Sequence, residues 1–541
     1  SLHDALPIFL MVASECGKVA KAGGLGDVVF DLSNNLKKLD YNVKIIIPYY
    51  EVINLDAFFL KEFKLEFGRI NYKFYLYKTQ VDNLDIYLIK SQNFFSGETG
   101  GIYVDSDRYS RGPFEDDAKR FAFFSKCVCE LLIGFEDFKN VNVLHNHDWH
   151  TGVIPVLLKL CSKYRSVSDR LKTVFTIHNL DYQGVRPFYD TQYNELTSFE
   201  TWFPDLYEII VKDKIFSKIK SPKIFYPCFN PMRAGINLSD FVNTVSPSYA
   251  GEITQKDNLK KNFFGGRGLE RDLQKLYKKG NLFGILNGID YDEHNPANLI
   301  PPFNFENENW SSNKLFHKKE FIENFIVHIE KIYERQKDKF INWETISEKI
   351  KNYKNTNYID KPLFVSVSRA VTQKLGILIE KVGKSLLADE IAKSNIFLII
   401  IGTGELQEKL ETLNRYDNIF YIAAFDRVFA DKLYAAGDFF LMPSYFEPCG
   451  ISQMIALRYG TIPIANEIGG LKDTIRDKKD GFLFTARSKE GIKKSFIETF
   501  KESVKIYRDK NKFNDMQICA LKQKFSWENS VTEYLKIYGR P

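Results

Sequence analysis

Arg369 and Lys374, five residues apart at the end of the apolar run 363–367, form the pair in this chain best suited to chemistry. A planar guanidinium fork beside a compact ammonium suits a diphosphate whose negative charge grows as a bond to it breaks. A merely solvated helix start accounts for them less well, because helix N-termini favour acids over bases. A second group follows the apolar run 439–442, in Pro443-Ser444-Tyr445-Phe446-Glu447-Pro448-Cys449-Gly450. There a carboxylate would accept sugar hydroxyls beside backbone N–H donors for phosphate. Gly402-Thr403-Gly404-Glu405 and Gly469-Gly470-Leu471-Lys472-Asp473 are further glycine turns after strand-like runs, and neither is specific by itself.

The first half carries a different chemistry. Lys21-Ala22-Gly23-Gly24-Leu25-Gly26-Asp27 follows the apolar run 8–13 and precedes a helix-like stretch. Consecutive glycines at such a turn let backbone N–H groups approach a phosphate or sugar, with the positive end of a helix behind them. A plain tight turn explains the segment about as well, since it is not the dinucleotide-binding fingerprint. His145-Asn146-His147-Asp148-Trp149-His150 follows the run 141–144. Three histidines and an aspartate within six residues invite a metal reading. The metallo-hydrolase spacing would need Asp where this chain has Trp149, which favours a polar strand end that orients a sugar hydroxyl. His178, in Thr176-Ile177-His178-Asn179, ends the next run. A lone histidine there is as often structural as functional, and it gains interest from its company.

These residues need elements to hold them. Short apolar runs at 8–13, 43–47, 141–144 and 173–177, then at 363–367, 396–401, 419–422, 439–442 and 462–465, alternate with helix-like segments, which predicts parallel sheets. The runs form two sets separated by a Lys-, Asn- and Glu-rich stretch, in which 316–337 is helix-compatible and 352–357 is loop-like. That stretch reads as a linker with the first helix of a second domain, and a chain of 541 residues fits two domains. In such sheets ligands bind outside the carboxyl ends of the strands, where the unusual residues lie.

Composition excludes several classes. Lys and Arg number 75 against 69 Asp and Glu, so the net charge is +6 with no dense basic run, and no nucleic-acid partner is expected. Seven cysteines without metal-like spacing read as reduced thiols rather than a disulfide framework. The only apolar stretch near the start is too short for a signal core or a membrane span. The expectation is a cytoplasmic protein with no membrane partner, or a plastid one if the source is a plant or alga.

Taken in order, segments 21–27, 145–152, 176–184, 243–253, 284–290 with Asn295-Pro296, 368–374, 447–453 and 459–474 closely resemble the bacterial glycogen synthase and plant starch synthase family. The resemblance implies an α/β architecture of the GT-B type, two Rossmann-like doubly wound domains facing across a cleft. Their expected extents are 1–290 on the glucan side and 291–520 on the donor side, with 521–541 a tail helix crossing back. It implies a retaining glucosyltransferase that elongates an α-1,4-glucan from ADP-glucose; the alternatives are UDP-glucose or another acceptor, or a silent glucan-binding homologue. Carried over residue by residue, Lys21, Gly24 and Asp27 would meet the donor. Asp148 would lie near the acceptor, while His178 and Asn287 would hold the transferring glucose. Arg369 and Lys374 would bind the diphosphate, Glu447 the glucose hydroxyls, and Cys449 and Gly450 would shape the loop around it. No nucleophilic side chain is evident. The implied transition state is oxocarbenium-like, with the departing phosphate oxygen taking the acceptor's proton, and with Arg369 and Lys374 standing where other enzymes place a metal, so no metal or other cofactor is expected. The chain departs from the family pattern at Ala370-Val371, at His294 and at Ile455, and residues 1–7 resemble nothing in it.

Overall fold

Ile8–Val12 is an unbroken apolar run buried along nearly its whole length, a pattern that fits a strand with neighbours on both edges and helices on both faces. The computed structural model describes residues 6–97, 100–103, 115–189, 198–224, 226–303, 306, 308–337, 340–383 and 385–540. Of the opening residues 1–7, the first five fall outside that set. Contacts divide the chain into two units, one of Ser1–Asp257, Gly265–Gly288 and Trp527–Pro541, the other of Asn258–Phe264 and Ile289–Ser526.

In the first unit the strands are β1 (Ile8–Val12), β2 (Asn42–Pro48), β3 (Phe58–Phe67), β4 (Ile70–Val81), β5 (Leu84–Lys90), β6 (Val143–His147) and β7 (Lys172–Ile177). A two-residue pair follows, β8 (Arg186–Pro187) and β9 (Cys228–Phe229), and then β10 (Phe241–Thr244) and β11 (Leu282–Gly284). The main sheet runs β11-β10-β7-β6-β1-β2-β5-β4-β3. From β11 to β5 every pairing is parallel; β4 and β3 then pair antiparallel. The sequence reading of purely parallel sheets misses this antiparallel edge. Its turns are two residues long, Gly68-Arg69 and Asp82-Asn83, and all four residues have positive φ, the conformation that matches hairpin turns to the right-handed twist of strands. Helix Gly24–Lys38 covers the sheet through Val28, Val29, Leu32 and Leu36, a stripe at helical spacing, and carries Lys37 and Lys38 in its last turn, where cations favour the helix dipole.

The second unit has β12 (Leu363–Val367), a small hairpin of β13 (Lys381–Val382) and β14 (Ser385–Leu386), then β15 (Phe397–Ile401), β16 (Ile419–Ile422), β17 (Phe439–Met442), β18 (Ile462–Asn466) and β19 (Phe482–Phe484). Its sheet, β16-β15-β12-β17-β18-β19, is parallel throughout. The charged stretch, read as a linker with the first helix of the second domain, holds the helices Trp310–Glu323, Phe325–Arg335 and Trp343–Ile350. Docking there relies on buried ammonium groups as well as apolar residues. Lys318 donates to Asp438 Oδ2 at 2.6 Å, to the Lys361 carbonyl at 2.7 Å and to the Tyr507 hydroxyl at 2.8 Å. Lys314 donates to the carbonyls of Ala435 and Tyr459 and to Thr461 Oγ1, and burial pulls its pKa down to about 7. Polar residues at core positions are what hid this packing from the sequence pattern.

Each sheet reverses its winding once. β1 lies between β2 and β6, and β12 lies between β15 and β17. The crevice at such a reversal, outside the carboxyl ends of the two strands, is where open α/β sheets bind ligands. The loops there are the glycine loop after β1 and the His–Asp segment after β6, and in the second unit the segments after β12 and β17.

Candidate functional site

After β1 the chain folds back on a carboxylate. Buried Glu15 accepts the backbone N–H groups of Ala22 at 2.6 Å and Gly23 at 2.7 Å, and the Tyr103 hydroxyl as well. Two amides of the glycine loop are therefore already satisfied by the protein. Glu15 escaped the sequence reading because it lies well before the helix that starts at Gly24, and only the folded loop brings it to the amides of Ala22 and Gly23. Lys21 and Asp27 form an ion pair at 2.7 Å across the loop, and Gly24 opens the helix.

After β6, Asp148 has φ 57° and ψ −179°, a region nearly reserved for glycine. The surroundings hold it there. Its N–H donates to the Thr176 carbonyl at 2.9 Å, its carbonyl accepts from Thr151, and its Oδ1 accepts the N–H of His178 at 2.8 Å. Burial raises its carboxyl to about 8, against the two backbone N–H bonds that favour the ionised form. Gly184, with positive φ, lets the loop close on Trp149: a Cβ there would lie 2.1 Å from the indole.

His145, His147 and His150 are buried and His178 is half-buried; among the described residues His147 Nε2 and His150 Nδ1 have no hydrogen-bond partner. His145 meets the Tyr538 hydroxyl through Nδ1 at 2.8 Å and Thr176 Oγ1 through Nε2 at 2.6 Å. His147 stacks on His145 with ring centroids 4.2 Å apart, and its Nδ1 lies 3.0 Å from His178 Nε2. Burial holds His145, His150 and His178 at about 3 and His147 well below its ordinary value, so all are neutral imidazoles. Among the described residues no group of three or more His, Cys, Asp or Glu is arranged to hold a metal ion. Asn287 lies beyond β11 with its side chain buried and its Oδ1 unbonded among the described residues.

In the second unit Arg369 follows β12 and is exposed; among the described residues it enters no ion pair. Gly402 makes that turn possible, since a Cβ there would lie 1.8 Å from the Ser368 carbonyl oxygen. Thr372, at the start of the short helix Thr372–Leu375, donates through N–H and hydroxyl to Glu405 Oε1 at 2.9 and 2.8 Å, which gives the unspecific 402–405 turn a capping role. Lys374 pairs directly with buried Glu447, which also accepts from Ser444 Oγ at 3.2 Å. The sequence reading sent these two to different parts of a substrate; the structure joins them. The carbonyls of Cys449 and Gly450 are tied by the Gln453 side-chain amide at 3.1 and 3.0 Å.

The structure thus brings together Asp148 with His178, Lys21 with Asp27, Lys374 with Glu447, and Cys449 with Gly450. Glu15 and Tyr103 are additions that sequence reasoning did not single out, and His147 and Glu405, noted there only within the histidine cluster and the glycine turn, gain hydrogen-bonding roles.

Residues 9–275 match the starch synthase catalytic domain family, and residues 347–514 match the glycosyl transferases group 1 family. The chain is 33% identical to the glycogen synthase of Alkaliphilus metalliredigens, covering 98% of each chain, and 34% identical to that of Clostridium botulinum strain Alaska E43, again covering 98% of each. Its structure resembles the catalytic domain of starch synthase IV from Arabidopsis thaliana bound to ADP and acarbose, with TM-score 0.76 and 26% identity over 98% of this chain and 99% of that one. It also resembles sucrose-phosphate synthase from Thermosynechococcus elongatus in fold alone, with TM-score 0.55 and 13% identity over 98% of each chain.

Proposed function

The chain belongs to the glycogen synthase and starch synthase family of glucan-elongating glycosyltransferases, and from that premise we propose that it takes glucose from ADP-glucose and adds it, with retained α configuration, to the end of an α-1,4-glucan. The observation that carries the diphosphate reading is that an exposed Arg369 and Lys374 both lie in the segment after β12, at the winding reversal of the second sheet. Starch synthase IV from Arabidopsis thaliana, a solved relative, is bound to ADP, and these two cations supply the charge that such a leaving group needs.

In this reading Arg369 and Lys374 neutralise the departing diphosphate, and Glu447 passes from Lys374 to the glucose hydroxyls when the donor enters. Cys449 and Gly450 hold the loop around it. His178 and Asn287 hold the transferring glucose, Asp148 lies on the acceptor side, and Lys21, Gly24 and Asp27 approach the donor. The departing phosphate oxygen accepts the proton of the acceptor hydroxyl while the new glycosidic bond forms on the same face of the sugar. The two cations take the place of a metal, so turnover is expected to survive a chelator, and the cytoplasm is the fitting compartment.

Incorporation of labelled glucose into glycogen from ADP-glucose and from UDP-glucose, in wild type and Lys374→Ala, tests the reading. Preference for ADP-glucose, lost with Lys374→Ala, supports it. Equal or better use of UDP-glucose overturns the donor assignment, and no incorporation from either leaves a glucan-binding protein.

A further inference from the structure

His147 and His178 make one hydrogen bond between two neutral rings, so one nitrogen carries the proton and the other accepts it. The choice is decided by the far side of His147, whose Nε2 is buried and without a partner among the described residues. If His178 donated, that Nε2 would carry an orphaned buried N–H; if His147 donates, it is left as a bare acceptor. Orphaned buried donors are rarer in proteins than under-satisfied acceptors.

The ring plane of His147 is fixed independently. Thr176 gives its single hydroxyl hydrogen to Asn243 Oδ1 at 2.7 Å, so His145 must donate from Nε2 to Thr176 and accept at Nδ1 from the Tyr538 hydroxyl. Asn243 Nδ2 donates to the Tyr534 hydroxyl at 3.1 Å, which fixes Asn243 Oδ1 as the acceptor facing Thr176. His147 lies stacked on that fixed His145 ring.

We infer that His147 is a positioning residue that donates from Nδ1 to His178 Nε2 and so fixes His178 as the tautomer protonated at Nδ1, a hydrogen-bond donor toward an oxygen of the transferred sugar. The inference rests on the reading of His178 as a sugar-holding residue. Burial, by keeping both rings uncharged, is what makes the tautomer matter.

The test is nitrogen NMR of the full chain labelled at its eight histidines, with His178→Asn identifying the signal. The expected wild-type spectrum shows a protonated, pyrrole-type Nδ1 and a bare, pyridine-type Nε2 at His178; a proton on Nε2 overturns the inference. His147→Leu is expected to move the proton to Nε2 and to lower kcat by about tenfold with glucan KM unchanged. His147→Asn, whose amide N–H stands where Nδ1–H stood, recovers most of that loss and the wild-type signature. Equal losses in both variants with the His178 signals unmoved count against it. The spectra need no donor sugar, so they decide the tautomer even if the ADP-glucose reading fails.

Discussion

The strand ends of the two sheets occupy the same topological position and are built in opposite ways. After β6 and β7 the polar groups are neutral, buried or half-buried, and bonded to one another: three imidazoles linked by hydrogen bonds and stacking, and a carboxyl whose ionisation burial opposes. After β12 and β17 the groups are ionic, and a cation reaches solvent. The contrast teaches what each can hold. A dry set of fixed donors and acceptors orients uncharged hydroxyls, whereas an exposed guanidinium with a paired ammonium receives a diphosphate.

The largest effect expected from disturbing this contrast is on the ionic side. Lys374→Ala should lower turnover by two to three powers of ten, on the order of 3 kcal/mol of lost charge stabilisation, with an unchanged melting temperature showing that the fold survives. A smaller loss in the glucose incorporation assay would mean that Arg369 carries the charge alone.

Acid should break the neutral side first. His145, His150 and His178 have folded pKa values of about 3 against an ordinary 6.5, so the unfolded chain binds more protons in that interval and stability falls as pH drops below 6.5. Each contributes up to roughly 1.4 kcal/mol per pH unit. Asp148 opposes them, since its raised pKa makes the folded state hold an extra proton between 3.8 and about 8, but it is one group against several. Thermal melts of the first unit's transition should therefore shift down from pH 6.5 to pH 5; a flat profile would contradict the dry-histidine picture.

Asp148 offers a sharper test on the same strand end. Its backbone lies where alanine is strained and glycine is not, so Asp148→Gly should be more stable than Asp148→Ala by about 1–3 kcal/mol while both lose activity. Denaturant melts compare them directly. The smallest effect is expected from Glu447→Gln: freed from its partner, Lys374 should bind ADP roughly tenfold more tightly while glucose transfer falls, and calorimetry against ADP reads it.

The strands bearing Asp148, His178, Arg369 and Glu447 were legible because each is an apolar run ending in a polar or charged residue. The hairpins of β3 to β5 were legible in principle, through Gly68-Arg69 and Asp82-Asn83, but lie among residues whose alternation is blurred by aromatics. The helix-compatible reading of 316–337 meets the helices Trp310–Glu323 and Phe325–Arg335, but their docking escaped because Lys314 and Lys318 occupy positions where the pattern expects apolar residues, and their carbonyl and carboxylate partners come from far along the chain. Glu15 escaped altogether, and the roles of His147 and Glu405 escaped, for a related reason: each acts by hydrogen-bonding atoms whose proximity only folding creates.

The sequence by itself determined the two alternating strand–helix sets, the family resemblance and which residue types end the strands, because side-chain periodicity and glycine turns are local properties of the chain. Tertiary structure alone decided which groups meet: that Glu15 closes the glycine loop, that Lys374 faces Glu447, and that His147 faces His178. Hydrogen bonds and ion pairs depend on distances of about 3 Å between residues remote in sequence, and such distances are set by packing rather than by local pattern.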